Sequence, residues 1–186
     1  MESAEEQKSP IADWIYPPEG VEELSLWDSL HDARLIRARL DPVERTLQLD
    51  FDIRHVREFH HFSEDTRFIL RFLGVNSVRV TNRTEFLDTS AGFQDFAEKV
   101  EAEGATTDTF EADLLKAPGS VALRLYLNVN DGSYPEVIVR AERLAILLSS
   151  GRELALEEFL QLGEAFWEER SRKRRERGTQ SGLDGK

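Results

Sequence analysis

The sequence contains no cysteine, and only four of its 186 residues are histidine. The lack of thiols excludes disulfide bonds, zinc–thiolate sites and cysteine nucleophiles, and a cytoplasmic location fits it. No apolar run reaches the roughly 18 residues of a membrane span. The first ten residues lack the basic start and apolar stretch of a signal peptide. Phosphate-binding loops, dinucleotide fingerprints and GxSxG elbows are also missing. We therefore expect a cytoplasmic protein with no cofactor.

Charge of one sign dominates most of the chain. The formal net charge is −12, but residues 168–186 carry seven basic and four acidic side chains, which leaves a net charge of −15 on the preceding 167 residues. An acidic body repels nucleic acid and anionic membranes and attracts basic proteins. We therefore expect a protein partner, preferably a basic one. The charge pattern does not specify an oligomeric state.

The polar pattern divides the chain into three parts. Residues 1–10 are polar and acidic, and we expect them to be mobile. Residues 11–168 contain enough apolar residues for a single folded domain. Residues 169–186 form a basic tail that we expect to be disordered once the last helix ends.

The best-defined element is a strand with a period of two. Leu47, Leu49, Phe51 and Ile53 alternate with polar residues, which is typical of an antiparallel strand with one wet face. Similar runs predict an α+β fold with one mainly antiparallel, curved sheet of about six or seven strands, a middle helix and a long C-terminal helix. The predicted elements are strands at 33–40, 45–53, 66–73, 75–81, 106–114, 121–129 and 136–148, a loop at 55–65, and helices at 90–103 and from about 151. Gly163 on the last helix predicts a close approach to a sheet.

The histidines suggest one hypothesis, namely that the protein is a metal-dependent hydrolase. His31 and Asp32 form the His-Asp pair that some phosphohydrolases use as ligands, and His60 with His61 could complete a site. The favoured interpretation is structural, because the spacing matches no metal motif and no helical partner set is visible. Backbone hydrogen bonding would explain His31 or Asp32, and a solvated loop would explain residues 55–65. We therefore predict no metal site and no catalytic residue.

Carboxylates supply the second hypothesis, a protein-binding surface. Asp50, Asp52, Glu64 and Asp65 are the densest acidic positions near the predicted hairpin, and we predict that they bind the partner. Paired aspartates two residues apart on a strand can also do acid–base work or form cross-strand ion pairs with neighbouring arginines. The candidates for such pairs are Arg34, Arg67 and Arg71, and a face of ion pairs is the favoured interpretation for Asp50 and Asp52.

The basic run 170–177 holds six cationic residues. It could contact RNA, DNA or an acidic surface. The favoured interpretation is a solvated helix end, because cations are stabilised at the negative end of the helix dipole. A third hypothesis for the whole protein is a structural or assembly subunit that docks through its C-terminal helix.

Residues 26–81 resemble a group of small bacterial β-rich proteins. The order LHDA, a strand, a charged turn, RTLQLDFDI and then FILRFLGVNSVRV carries this resemblance. The group includes immunity-type proteins of polymorphic toxin systems, which neutralise a cognate toxin by binding it. The resemblance implies a binding role without catalysis. The leading prediction is therefore a non-enzymatic binding module, immunity-like, that neutralises a basic partner.

Overall fold

The computed structural model describes residues 20–62, 64–83, 88–107, 112–129 and 133–181. Within these ranges the strands pair only in antiparallel fashion and four helices accompany them. The predicted α+β class, with mainly antiparallel pairing, a middle helix and a long C-terminal helix, is confirmed. The strands divide into two sheets, whereas the sequence suggested one.

The described residues contain thirteen strands. In chain order they are β1 (Glu22–Ser25), β2 (Arg34–Asp41), β3 (Thr46–Asp52), β4 (Phe68–Leu73), β5 (Ser77–Arg83), β6 (Asp88–Ala91), β7 (Ala105–Thr106), β8 (Ala112–Ala117), β9 (Ser120–Tyr126), β10 (Asn128–Val129), β11 (Tyr134–Ala141), β12 (Arg143–Leu148) and β13 (Glu153–Leu154). The six-stranded sheet has the order β1-β8-β9-β11-β5-β6, and the seven-stranded sheet has the order β10-β7-β2-β3-β4-β12-β13.

The alternating apolar residues of the strands form the core. Leu47, Leu49 and Phe51 of β3 have no exposed surface, as the period of two requires. Leu123 of β9 and Val139 of β11 join them in one continuous apolar cluster, so both sheets contribute to the same core.

The chain passes from one sheet to the other twice at a single corner. The backbone N–H of Glu142, between β11 and β12, donates to the carbonyl oxygens of Leu73 and Gly74 at the end of β4. Gly74 has a φ of +63°, and a Cβ atom there would collide with the Glu142 side chain. Arg45 bonds the Asn76 side chain at 2.6 Å and Glu142 at 3.3 Å, which ties the corner together. The predicted single strand 136–148 is therefore two strands in different sheets.

Four helices lie outside the sheets. They are α1 (Trp27–Leu30), α2 (Arg54–Phe59), α3 (Phe93–Glu103) and α4 (Leu156–Ser181). The predicted loop 55–65 thus begins as a helix, and the predicted start of the last helix near residue 151 is corrected, because Glu153 pairs in β13 instead. Residues 169–181 of the expected disordered tail continue α4. The expected mobile segment 1–10 lies outside the described residues.

The long helix α4 packs against α1 through the buried Gly163. A Cβ atom on Gly163 would lie 2.6 Å from the backbone of Asp28 and Ser29. Ser29 donates its hydroxyl to the Phe159 carbonyl at 3.0 Å, and the Trp167 indole donates to the Asp28 carbonyl at 2.8 Å. The close approach predicted for Gly163 is present, but its partner is the backbone of α1 and not a sheet. Among the described helices, none combines the length and the apolar character that crossing a membrane requires.

Candidate functional site

The four carboxylates predicted as a binding surface do not lie on one surface. Asp50 is only 1% exposed. It accepts hydrogen bonds from Gln48 at 2.7 Å and Arg67 at 3.3 Å, and Arg37 lies 3.8 Å away. The cross-strand ion pair predicted with Arg67 is therefore present. Asp50 stabilises the outer face of the seven-stranded sheet and is not available to a partner.

Asp65 is also used inside the protein. One of its oxygens accepts the backbone N–H of Ser150 at 2.7 Å and the hydroxyl of Ser149 at 3.3 Å. Burial opposes ionisation of this carboxyl, but these hydrogen bonds outweigh burial and lower its pKa. Asp52 is partly exposed and pairs with Arg57 at 2.6 Å, and Glu64 is exposed. Of the four predicted carboxylates, Asp52 and Glu64 remain as surface groups.

The predicted histidine site is not assembled. His31 lies 3.7 Å from Asp32 and stacks on Trp27 with 4.2 Å between ring centroids. His60 instead donates to the Leu162 carbonyl of α4 at 2.8 Å, and His61 is exposed. In the part of the chain that the structure describes, no group of three or more histidine or carboxylate side chains is arranged to hold a metal ion. The hydrolase hypothesis gains no support from this arrangement.

His55, where α2 meets α4, packs against Trp167, the same ring that His31 contacts. Its ring lies 4.6 Å from Phe166 and 5.7 Å from Trp167, between centroids. Its Nε2 atom is buried and has no hydrogen-bond partner among the described residues. Burial lowers the pKa of His55 below its ordinary value of 6.5; the negative charges of Asp32 and Asp52 oppose this shift, and the positive charges of His31 and Arg170 add to it.

The lowered pKa of the buried His55 predicts that the stability of the folded protein depends on pH. Below about pH 6.5 the unfolded chain binds a proton at His55 more readily than the folded chain does, so stability falls as the pH falls. We expect the melting temperature to drop between about pH 7.5 and pH 5.5, and His55→Asn to reduce that drop. His61→Asn is the matched control, because its side chain is exposed. An equal drop in parent and His55→Asn would contradict this assignment.

An acidic groove lies between α3 and the β2–β3 hairpin. Its cavity of about 460 Å³ is lined mainly by polar groups, and Leu40, Phe93 and Ala97, which are partly buried against the core, supply apolar surface within it. Three exposed carboxylates line its rim, and one guanidinium opposes them. These rim residues are Asp41, Glu98, Glu101 and Arg39. The groove therefore combines exposed carboxylates with a smaller apolar part.

Local bonds hold the rim carboxylates in place. Asp41 ends β2, and one of its oxygens accepts the backbone N–H groups of Val43 and Glu44 at 2.9 Å each. This is the arrangement by which aspartate fixes a turn. Glu98 accepts a hydrogen bond from Gln94 one helical turn earlier, and Glu101 lies 3.6 Å from Arg37. These carboxylates are positioned before any partner arrives.

The groove was missed from the sequence, although a signal for it exists. Asp95, Glu98 and Glu101 recur every three residues and so share one face of α3. The Asp41-Pro42 turn is visible as well. Nothing in the sequence shows that α3 packs beside β2, since Asp41 and the first residue of α3, Phe93, lie 52 positions apart. An acidic working surface stays a prediction; Asp50 and Asp65 are buried, whereas the carboxylates of this groove are exposed.

The docking-subunit hypothesis depends on the apolar face of α4. Phe159 is 1% exposed and packs against Phe68 of β4, and Gly163 is buried against α1. His55 of α2 covers part of Phe166 and Trp167. The first half of this face is thus covered by the protein's own elements.

No protein-family model, curated protein or solved structure matches this chain.

Proposed function

We propose that this protein is a non-enzymatic, cytoplasmic binding module whose acidic groove takes a basic segment of a partner protein. The observation that carries the proposal is a rim of carboxylates held by local bonds beside the apolar side chains of Leu40 and Phe93. Lysine and arginine have apolar stems and charged heads. A stem lying on Leu40 and Phe93 places its head beside Glu98 or Glu101. The groove thus suits both parts of a basic side chain.

The resemblance of residues 26–81 to immunity-type proteins supports an inhibitory version of this proposal. Asp41 and Gln48, which line the groove, belong to that segment, and α3 forms the helical wall of the groove. A basic toxin would be neutralised by occupying the groove, without any reaction. The net charge of the chain, −12, favours fast encounter with such a partner.

The proposal predicts a loss of binding when the rim is neutralised. We expect Glu98→Gln with Glu101→Gln to slow association with a captured partner by about tenfold, because rim charges act mainly on encounter. The binding should also weaken between about 0.05 M and 0.5 M salt. Partner capture from the source cells followed by association kinetics measures both effects.

The matched control is Glu157→Gln with Glu158→Gln on the first turn of α4. It removes the same charge from two other exposed positions. We expect the association rate to change by less than about twofold. Charges farther from the groove than the screening length contribute little to the encounter. Equal effects of the two double variants would show that net charge, and not the groove, governs binding.

A further inference from the structure

A second cleft, of opposite charge, runs along the last turns of α4 beside α2. We call it the basic–aromatic cleft, and it has a volume of about 480 Å³. Two rings, four cations and one carboxylate line it. These residues are Phe59, Phe166, Arg170, Lys173, Arg174, Arg177 and Glu169.

The cations lie on one face of the helix. Positions 170, 173, 174 and 177 follow the three- and four-residue spacing that brings helical side chains together. All side chains from 171 to 177 are exposed, so this part of α4 extends beyond the elements that hold its first half. Its positive charge therefore faces solvent.

Carboxylates on the helix neutralise only some of this charge. Arg172, by hydrogen bonding, and Lys173 lower the pKa of Glu169 to about 2, so this carboxylate is ionised and engaged by those two cations. Among the described residues, no carboxylate pairs with Arg170, Arg174 or Arg177. Three guanidinium groups along two helical turns are left for a partner.

The floor of the cleft is aromatic. Phe59 and Phe166 are half-buried and meet edge to face, with 5.7 Å between their centroids. Arg170 lies over the Trp167 ring at 5.0 Å, which fixes the inner end of the cationic row. Beyond this arginine a smaller cavity of about 250 Å³ continues past His31 and Ser171. A ligand thus meets apolar rings and fixed positive charge side by side.

We propose that the basic–aromatic cleft binds an acidic protein segment that carries a large apolar residue. Carboxylates one helical turn apart match the row of arginines, whose planar groups bind carboxylates in two-point fashion. The apolar residue fills the space over Phe59 and Phe166. A nucleic acid fits less well, because the acidic body repels a long polyanion and Asp32 borders the smaller cavity. This site uses α2 and α4, whereas the acidic groove uses α3 and the hairpin.

Fluorescence anisotropy with a defined probe tests the proposal on the full chain. The probe is a labelled helical peptide of about 16 residues with glutamates one turn apart and two phenylalanines on the same face. Arg174→Gln with Arg177→Gln should weaken its binding by about tenfold or more, through two lost charge-assisted bonds. Arg79→Gln with Arg143→Gln removes equal charge from two exposed positions outside the cleft and should change peptide binding by less than about threefold.

Two further probes identify the ligand class. A peptide with both phenylalanines replaced by serine should bind at least about fivefold more weakly, because the apolar anchor is lost. The parent peptide should also bind more tightly than single-stranded DNA of equal length. Equal binding of the serine peptide, tighter binding of the DNA, or equal effects of the two double variants would each overturn the proposal. Glu98→Gln with Glu101→Gln should leave this binding unchanged.

Discussion

Replacing Gly163 by alanine is expected to destabilise the protein, although the same change stabilises most helices. On an isolated helix, alanine is favoured over glycine by about 1 kcal/mol. Here the added Cβ would lie 2.6 Å from the carbonyl carbon and oxygen of Asp28. Backbone cannot move aside as a flexible side chain can, so α4 must shift away from α1. We expect a net loss of about 1–3 kcal/mol, typical of overpacking.

The melting temperature and tryptophan fluorescence measure this effect. A loss of that size lowers the melting temperature by roughly 2–10 °C at this chain length. The shift should also weaken the bond from the Trp167 indole to Asp28 and move the emission to longer wavelength. Gly92→Ala is the matched control, since a Cβ there meets only ordinary contacts. A Gly163→Ala protein more stable than its parent would show that the two helices are not in contact.

Replacing Asp50 by asparagine is expected to be the costliest change at any of the four carboxylates first predicted to bind a partner. The carboxylate is 1% exposed and pairs with Arg67 and Arg37. Arg67 also has a buried Nε atom with no partner among the described residues. Removing the negative charge leaves the partly buried Arg67 uncompensated, and Arg37 keeps only its contact with Glu101 at 3.6 Å. We expect a loss of about 2–3 kcal/mol in the free energy of unfolding.

Glu64→Gln provides the comparison for Asp50→Asn. It removes one negative charge from an exposed position of the same predicted set. We expect a change within about 0.5 kcal/mol, as for most surface substitutions. Denaturant unfolding of both variants gives the two values. If Asp50→Asn kept full stability but lost partner binding, that result would indicate that Asp50 contacts the partner.

The sequence predicted those parts of the fold that depend on local periodicity. β3 and β9 were identified because alternate residues are apolar, and α3 because its apolar residues recur at helical spacing. The division into two sheets was missed because Glu142, where the chain leaves one sheet for the other, lies between two mainly apolar runs that read as one strand. The corner forms through Arg45 and Gly74, which are distant in sequence and give no periodic signal.

The candidate site was only half predictable for a related reason. Composition indicated an acidic working surface, since charge is visible in any sequence. The solvent exposure of a given side chain, by contrast, cannot be read from the sequence. Asp50 falls on the polar side of β3, yet flanking arginines and Gln48 bury it. Likewise His55 packs on Trp167 together with His31, whereas His60 bonds Leu162, because residues predicted as a loop begin as the helix α2.

Hydrogen exchange of the full chain, free and bound to its captured partner, tests the central claim most directly. The claim places a basic partner segment in the acidic groove between α3 and the β2–β3 hairpin. It predicts slower exchange in Phe93–Glu103 and around the Pro42–Arg45 turn, with the outer turns of α4 unchanged. Protection confined to α4, or to the strands of the six-stranded sheet, would contradict the claim.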